Sequence, residues 1–228
     1  VRTESARQHP GVLDIFTGTD LEAAGIGGLP CAWPINSSDG TPMAAPAHPV
    51  LVTGKALHVG DPVAAVVAET LAEAEAAAEL VEVDYEIDAS QTELSASLDP
   101  TAPVVHPDLD SNLCFDWSLG DGARVDAVLA EAAHVVELDL IQNRVNASPM
   151  ETRGTVGFYE RGRDEYTLYT SNQNPHPIRV MLSASTMKIP EERIRVISPD
   201  VGGGFGMKIY HYNEEVLVLF AARRIDRP

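Results

Sequence analysis

The tightest restriction on the backbone comes near the end of the chain, at Val201-Gly202-Gly203-Gly204-Phe205-Gly206-Met207-Lys208, where four glycines fall within five residues. The β-branched run Arg193-Ile194-Arg195-Val196-Ile197 precedes it and reads as a strand, and residues Asn213 to Ile225 follow with helical spacing. A glycine cluster between a strand and a helix removes the side chains that would keep another group at a distance. Its N–H groups are then free to point at something bound.

Two phosphate-binding explanations fail on spacing. A P-loop needs glycine immediately before Lys208 and Ser or Thr after it, but Met207 and Ile209 stand there. A dinucleotide fingerprint beginning at Gly202 needs a glycine where Met207 stands. What remains is a main-chain donor nest with Phe205 among the glycines, or a tight strand-to-helix turn without a ligand.

Two other stretches carry polar groups that could form a site wall. In Tyr169-Thr170-Ser171-Asn172-Gln173-Asn174-Pro175-His176-Pro177 a strand ends in hydroxyls and amides before a proline-started helix. Gln173 there can donate to a bound oxygen or cap the helix. In Asn146-Ala147-Ser148-Pro149-Met150-Glu151-Thr152-Arg153-Gly154, Glu151 either pairs with Arg153 at the surface or faces a cavity. The seven histidines lack zinc-ligand spacing, and only His211 and His176 fall on candidate site segments. Cys31 and Cys114, the only cysteines, form neither a CxxC pair nor a disulfide framework.

Charge excludes two classes of partner. With 34 acidic against 16 basic residues the net charge is −18, which repels nucleic acid and anionic membrane surfaces. No apolar run approaches the about 18 residues of a membrane span. Val1 is not a start methionine, and no tail follows Asp226-Arg227-Pro228. Both ends therefore read as cut, as in a fragment or a split subunit.

Taken in order, the pattern predicts an α+β chain. Residues 11–21 give a strand, a turn and a helix start, and 25–47 a long loop. Strand patterns follow at 50–52, 56–59 and, as a fully buried run, 63–68. Thr70 to Leu80 is alanine- and glutamate-rich, with Thr70 as N-cap and Glu73 completing a capping box. Residues 81–87 alternate with period two, so 50–88 reads as a compact α/β unit. Residues 89–112 read as a linker. Beyond it come a helix over 123–133, a strand over 134–144, a hairpin of 155–159 with 166–170, and a helix over 177–188.

In order and spacing these stretches resemble the large, molybdenum-cofactor-binding subunit of the xanthine dehydrogenase, aldehyde oxidase and aerobic carbon monoxide dehydrogenase family. The resemblance rests on Pro149-Met150-Glu151, Ser171-Asn172-Gln173 and Gly202-Gly203-Gly204-Phe205-Gly206 with Lys208. It is supported by Val59-Gly60-Asp61-Pro62-Val63-Ala64 and Val81-Glu82-Val83-Asp84-Tyr85. It implies an N-terminal α/β hammerhead domain over 1–90, a linker over 91–118, and the incomplete first part of a molybdopterin-binding domain over 119–228.

By the same resemblance, Gln173, Gly203, Gly204, Phe205 and Gly206 are the cofactor-binding residues. Gln173 would hydrogen-bond an oxygen ligand of molybdenum, and Phe205 would line the substrate pocket. No residue of this chain would ligate the metal directly, and the catalytic glutamate would lie beyond Pro228, leaving this chain inactive alone. The cofactor would be a molybdenum-pterin, in the cytosine dinucleotide form, with iron–sulfur clusters and FAD on partner subunits of a cytoplasmic complex. The implied reaction oxidises an aldehyde, an N-heterocycle or carbon monoxide with water as oxygen source. Ile209 stands where purine-oxidising members carry glutamate, which argues against a purine. Neither cysteine falls in the copper-bearing loop of the carbon monoxide enzymes. A non-catalytic scaffold that keeps the fold without the metal is the alternative.

Overall fold

The computed structural model describes residues 1–142 and 144–228. Its regular elements form two groups around a shared core. In the first, β1 (Val12–Thr17) pairs antiparallel with β2 (Ala64–Ala68), flanked by α1 (Glu4–Arg7), α2 (Gly18–Ala23) and α3 (Leu71–Ala78). The Asp20 carboxylate accepts from both the N–H and the hydroxyl of Thr17, at 2.8 Å each, so the strand turns directly into α2. Thr70 caps α3 as its sequence predicts, accepting from Glu73 N at 3.3 Å. Glu73 answers by accepting from the Thr70 hydroxyl (2.8 Å) instead of its N–H.

In the second group β3 (Thr155–Glu160) and β4 (Glu165–Thr170) form the antiparallel hairpin, and β5 (Ile194–Ile197) runs parallel to β4. A parallel pair requires a crossover. It is supplied by α5 (Pro175–Met181), which widens into a π-helical turn over Leu182–Thr186, closed by Met187 N donating to Leu182 O at 2.8 Å. The expected helix over 177–188 therefore begins two residues earlier and changes pitch before its end. The last helix, α6 (Asn213–Ile225), has Glu214 and Glu215 in its first turn and Arg223 and Arg224 in its last, matching its dipole. It lies against β3, where a Cβ on Gly157 would sit 2.6 Å from the Val218 carbonyl; only glycine allows this approach.

The core joins both groups. Phe16 of β1 meets Phe220 of α6 edge-on, with centroids 5.0 Å apart. Leu51, Leu168, Ile178, Leu182 and Leu219 are fully buried around them. Each such side chain contributes roughly 1.5–3 kcal/mol by leaving water.

Several expected strands do not form. Residues 50–52 and 56–59 are irregular, although Val50 and Leu51 are buried in the core. Of 81–87, only Glu82 makes a bridge, to Arg2, while Tyr85 and Ile87 are exposed. The 50–88 stretch thus holds one strand and one helix in place of the expected alternating unit. Of 134–144, Asn143 lies outside the described residues and the others form no strand. An alternating pattern supplies one face of a strand, but the backbone groups also need a neighbouring edge. β2, expected to be buried throughout, is half-buried because β1 is its only strand partner among the described residues. The helix expected over 123–133 is present as α4 (Gly122–Glu131), capped by Asp121 accepting from Arg124 N at 3.0 Å. Residues 91–118 contain one 3₁₀ turn, Leu94–Ala96, in otherwise irregular chain. No helix among the described residues is long and apolar enough to cross a membrane.

Candidate functional site

Sheet topology brings the three sequence stretches to one edge. Because β4 and β5 are parallel, their C-terminal ends lie side by side, Tyr169 opposite Ile197. Because β3 is antiparallel to β4, its first residue, Thr155, pairs with Thr170. The segment entering β3 (149–154), the one leaving β4 (171–174) and the glycine loop leaving β5 therefore meet beyond the same strand ends. In open α/β sheets this is where ligands bind.

Gln173 and the glycine loop are stitched together by main chain and side chain. Gln173 N donates to Lys208 O at 2.8 Å, and Gln173 Oε1 accepts from Gly206 N (3.1 Å) and Lys208 N (3.3 Å). Two N–H groups on Oε1 fix the orientation of the side-chain amide. Nε2 is left pointing away from the loop's own donors, with no acceptor among the described residues. The Gln173 side chain lies flat on Gly204, where a Cβ would be 2.3 Å from Oε1. Gly203 adopts φ +94° and Gly206 φ +86°. Between them Phe205 takes a left-handed φ of +50°, uncommon for a bulky residue and costing about 1–2 kcal/mol. Its ring folds back over Gly203 and is largely exposed, at 76%.

The donor nest is narrower than the glycine count suggests. Gly202 N donates to Glu151 Oε2 (2.7 Å), Gly203 N to Val201 O (2.9 Å) and Met207 N to Gly204 O (2.8 Å). With Gly206 and Lys208 committed to Gln173, only the amides of Gly204 and Phe205 lack an acceptor among the described residues.

Glu151 does not pair with Arg153. Its Oε2 accepts from Ser171 Oγ (2.6 Å), Gly202 N and Lys208 Nζ (2.7 Å each). The ammonium of Lys208, then the Ser171 hydroxyl and the Gly202 amide, hold its carboxyl well below the ordinary 4.5, at about 2. Lys208 is fully buried and also donates to Ser171 Oγ at 2.7 Å. Arg153 turns instead to Glu214 (2.7 Å) and stacks 3.8 Å over the Tyr212 ring, whose hydroxyl donates to Met207 O.

Beneath the loop runs a buried polar chain. His211 Nδ1 meets Glu215 Oε2 at 2.7 Å and Nε2 meets Thr186 Oγ1 at 3.2 Å. Glu215 Oε1 accepts from Thr170 Oγ1 (2.9 Å) and Asn172 Nδ2 (3.3 Å). His176 is not among the partners of His211. His211 lies just before α6, and Glu215, the third residue of that helix, also accepts from Tyr212 N at 3.1 Å, so the contact belongs to the helix cap. The roles of Lys208, Ser171 and Glu151 had no local signal, since they contact one another across 20 to 57 residues of chain.

Two family models match the chain: the molybdopterin cofactor-binding domain over residues 105–228, and the aldehyde oxidase and xanthine dehydrogenase a/b hammerhead domain over 1–88. The chain is 34% identical to the nicotine 6-hydroxylase large subunit of Paenarthrobacter nicotinovorans, covering 100% of this chain and 27% of that protein. It is 32% identical to the carbon monoxide dehydrogenase large chain of Afipia carboxidovorans, covering 97% and 27% respectively. The crystal structure of quinoline 2-oxidoreductase from Pseudomonas putida 86 superposes with a TM-score of 0.87 at 33% identity, over 99% of this chain and 28% of that one. The chain thus spans about a quarter of the length of these relatives.

Proposed function

Since the chain belongs to the molybdopterin-binding large subunits of the xanthine dehydrogenase and carbon monoxide dehydrogenase family, we propose that its glycine loop and Gln173 form one wall of a molybdenum-pterin site. The observation that carries this reading is the set of three donors without acceptors among the described residues, Gln173 Nε2 and the amides of Gly204 and Phe205, on one backbone-stitched corner. A donor-only corner at strand ends fits an oxygen-rich, electron-rich group and would suit a cation poorly.

When bound, the cofactor supplies two-electron oxidation of a small substrate with water as the oxygen source. This chain's residues hold and orient it. Gln173 Nε2 donates from a side chain that Gly206 and Lys208 keep from rotating. The Gly204 and Phe205 amides add fixed dipoles that need no reorganisation during reaction. Phe205, largely exposed beside these donors, would be the residue that meets substrate.

Proton transfer is not assigned to this chain. Glu151 is ion-paired and held at about 2, far too weak a base for the task near neutrality. We assign the general base to sequence beyond Pro228 and expect this chain alone to be inactive. The dinucleotide form of the pterin, and the iron–sulfur and FAD subunits that would remove electrons, belong to the same proposal. So do a cytoplasmic setting and an aldehyde, an N-heterocycle or carbon monoxide as substrate.

Elemental analysis of the native protein, purified with its natural companions, tests the reading. Molybdenum in proportion to the chain is expected. Its absence would favour a metal-free scaffold and overturn the proposal.

A further inference from the structure

We propose that Lys208 and Glu151 are positioning residues, forming a one-atom clasp that holds the glycine loop in register with Gln173. The inference rests on the molybdenum-site reading above. Its observation is that one oxygen, Glu151 Oε2, receives both Gly202 N and Lys208 Nζ at 2.7 Å, and also Ser171 Oγ at 2.6 Å. The loop that carries Gly204 and Phe205 is therefore closed at its two ends by a single acceptor. Ser171, two residues before Gln173, is drawn into the same knot by Lys208 Nζ at 2.7 Å. Lys208 then joins the clasp to the wall through its own main chain, which exchanges hydrogen bonds with Gln173 in both directions.

A fully buried lysine is rare unless paired, and Lys208 has its partners in Glu151 and Ser171. What the ammonium adds is geometry. It fixes where the Gly204 and Phe205 amides stand relative to Gln173 Nε2, and so the spacing of the three donors.

The test compares the native protein with Lys208→Met, Glu151→Gln and the double variant. Hydrogen exchange over 201–209 reads the clasp without reference to metal or activity. Exchange in this segment should quicken by about tenfold or more in either single variant, with β3–β5 unchanged. In molybdenum-loaded protein, kcat should fall by about tenfold to a hundredfold with KM little changed, and the Mo(V) paramagnetic resonance signal should shift. The double variant should lose no more than the worse single one, because both break one unit. If Lys208→Met does not fold, Glu151→Gln decides alone. Wild-type exchange and kcat in the single variants, or fully additive losses in the double, would overturn the clasp. Native protein without molybdenum would overturn the functional reading, while the exchange measurement would still judge the clasp.

Discussion

Two segments of this chain share one sequence pattern and end in opposite states. Residues 165–170 and 135–141 both contain alternating apolar positions. In the first, Tyr166 and Leu168 are 2% and 0% exposed, because β4 has β3 on one side, β5 on the other and α6 across it. In the second, Val136, Leu138 and Leu140 are 91%, 73% and 80% exposed, and no described strand lies alongside. Alternation gives a segment the means to be a strand. A paired edge and a covered face make it one.

That contrast can be broken most directly in the core. Leu168→Ala should cost about 2–5 kcal/mol, whereas Leu138→Ala should stay within about 0.5 kcal/mol, as read from denaturant midpoints. Equal costs would mean that 135–141 is covered in the native protein.

Next in size is Gly157→Ala. Its Cβ would press on the Val218 carbonyl at 2.6 Å, so α6 must move off β3. A loss of about 1–3 kcal/mol is expected. The control, Gly154→Ala, meets nothing within 4 Å and should melt close to wild type.

At the site the steric contrast becomes functional. Gly204→Ala puts a methyl group 2.3 Å from Gln173 Oε1, forcing the side chain off the loop. Molybdenum content of the native protein should fall while the helical circular dichroism is retained.

The smallest effect is one of pH. Glu151 is held at about 2 in the folded chain against the ordinary 4.5, so between these values the unfolded chain binds more protons. Its contribution is complete above about 4.5 and lost as pH falls towards 2. The stability difference between wild type and Glu151→Gln should therefore shrink across that window and be flat above it. A constant difference down to pH 2 would mean that the ion pair with Lys208 does not form.

Legibility followed locality. The helices at 71–78, 122–131 and 213–225 carry caps and period within their own residues, as does the hairpin around 161–164. The predicted strands at 50–59, 81–87 and 134–144 depended on partners that a local pattern cannot name. The site divided in the same way. A strand, four glycines and a helix announced a loop made for close approach. Which of its amides remain available depended on Glu151 and Gln173, some 50 and 30 residues upstream.

By itself the sequence determined the local conformations: where the chain must turn, where helices start, and where a glycine cluster allows close approach. Its motifs also sufficed to mark the family. Only the tertiary structure decided that a parallel β4–β5 pair with an antiparallel β3 would bring three strand ends to one edge. It alone buried Lys208 against Glu151 and, among the described residues, left two of the seven loop amides without an acceptor beside Gln173. The physical reason is range. Torsional preference and capping act within a few residues, whereas an ion pair or an open donor is defined by whatever the fold places within 3 Å of it.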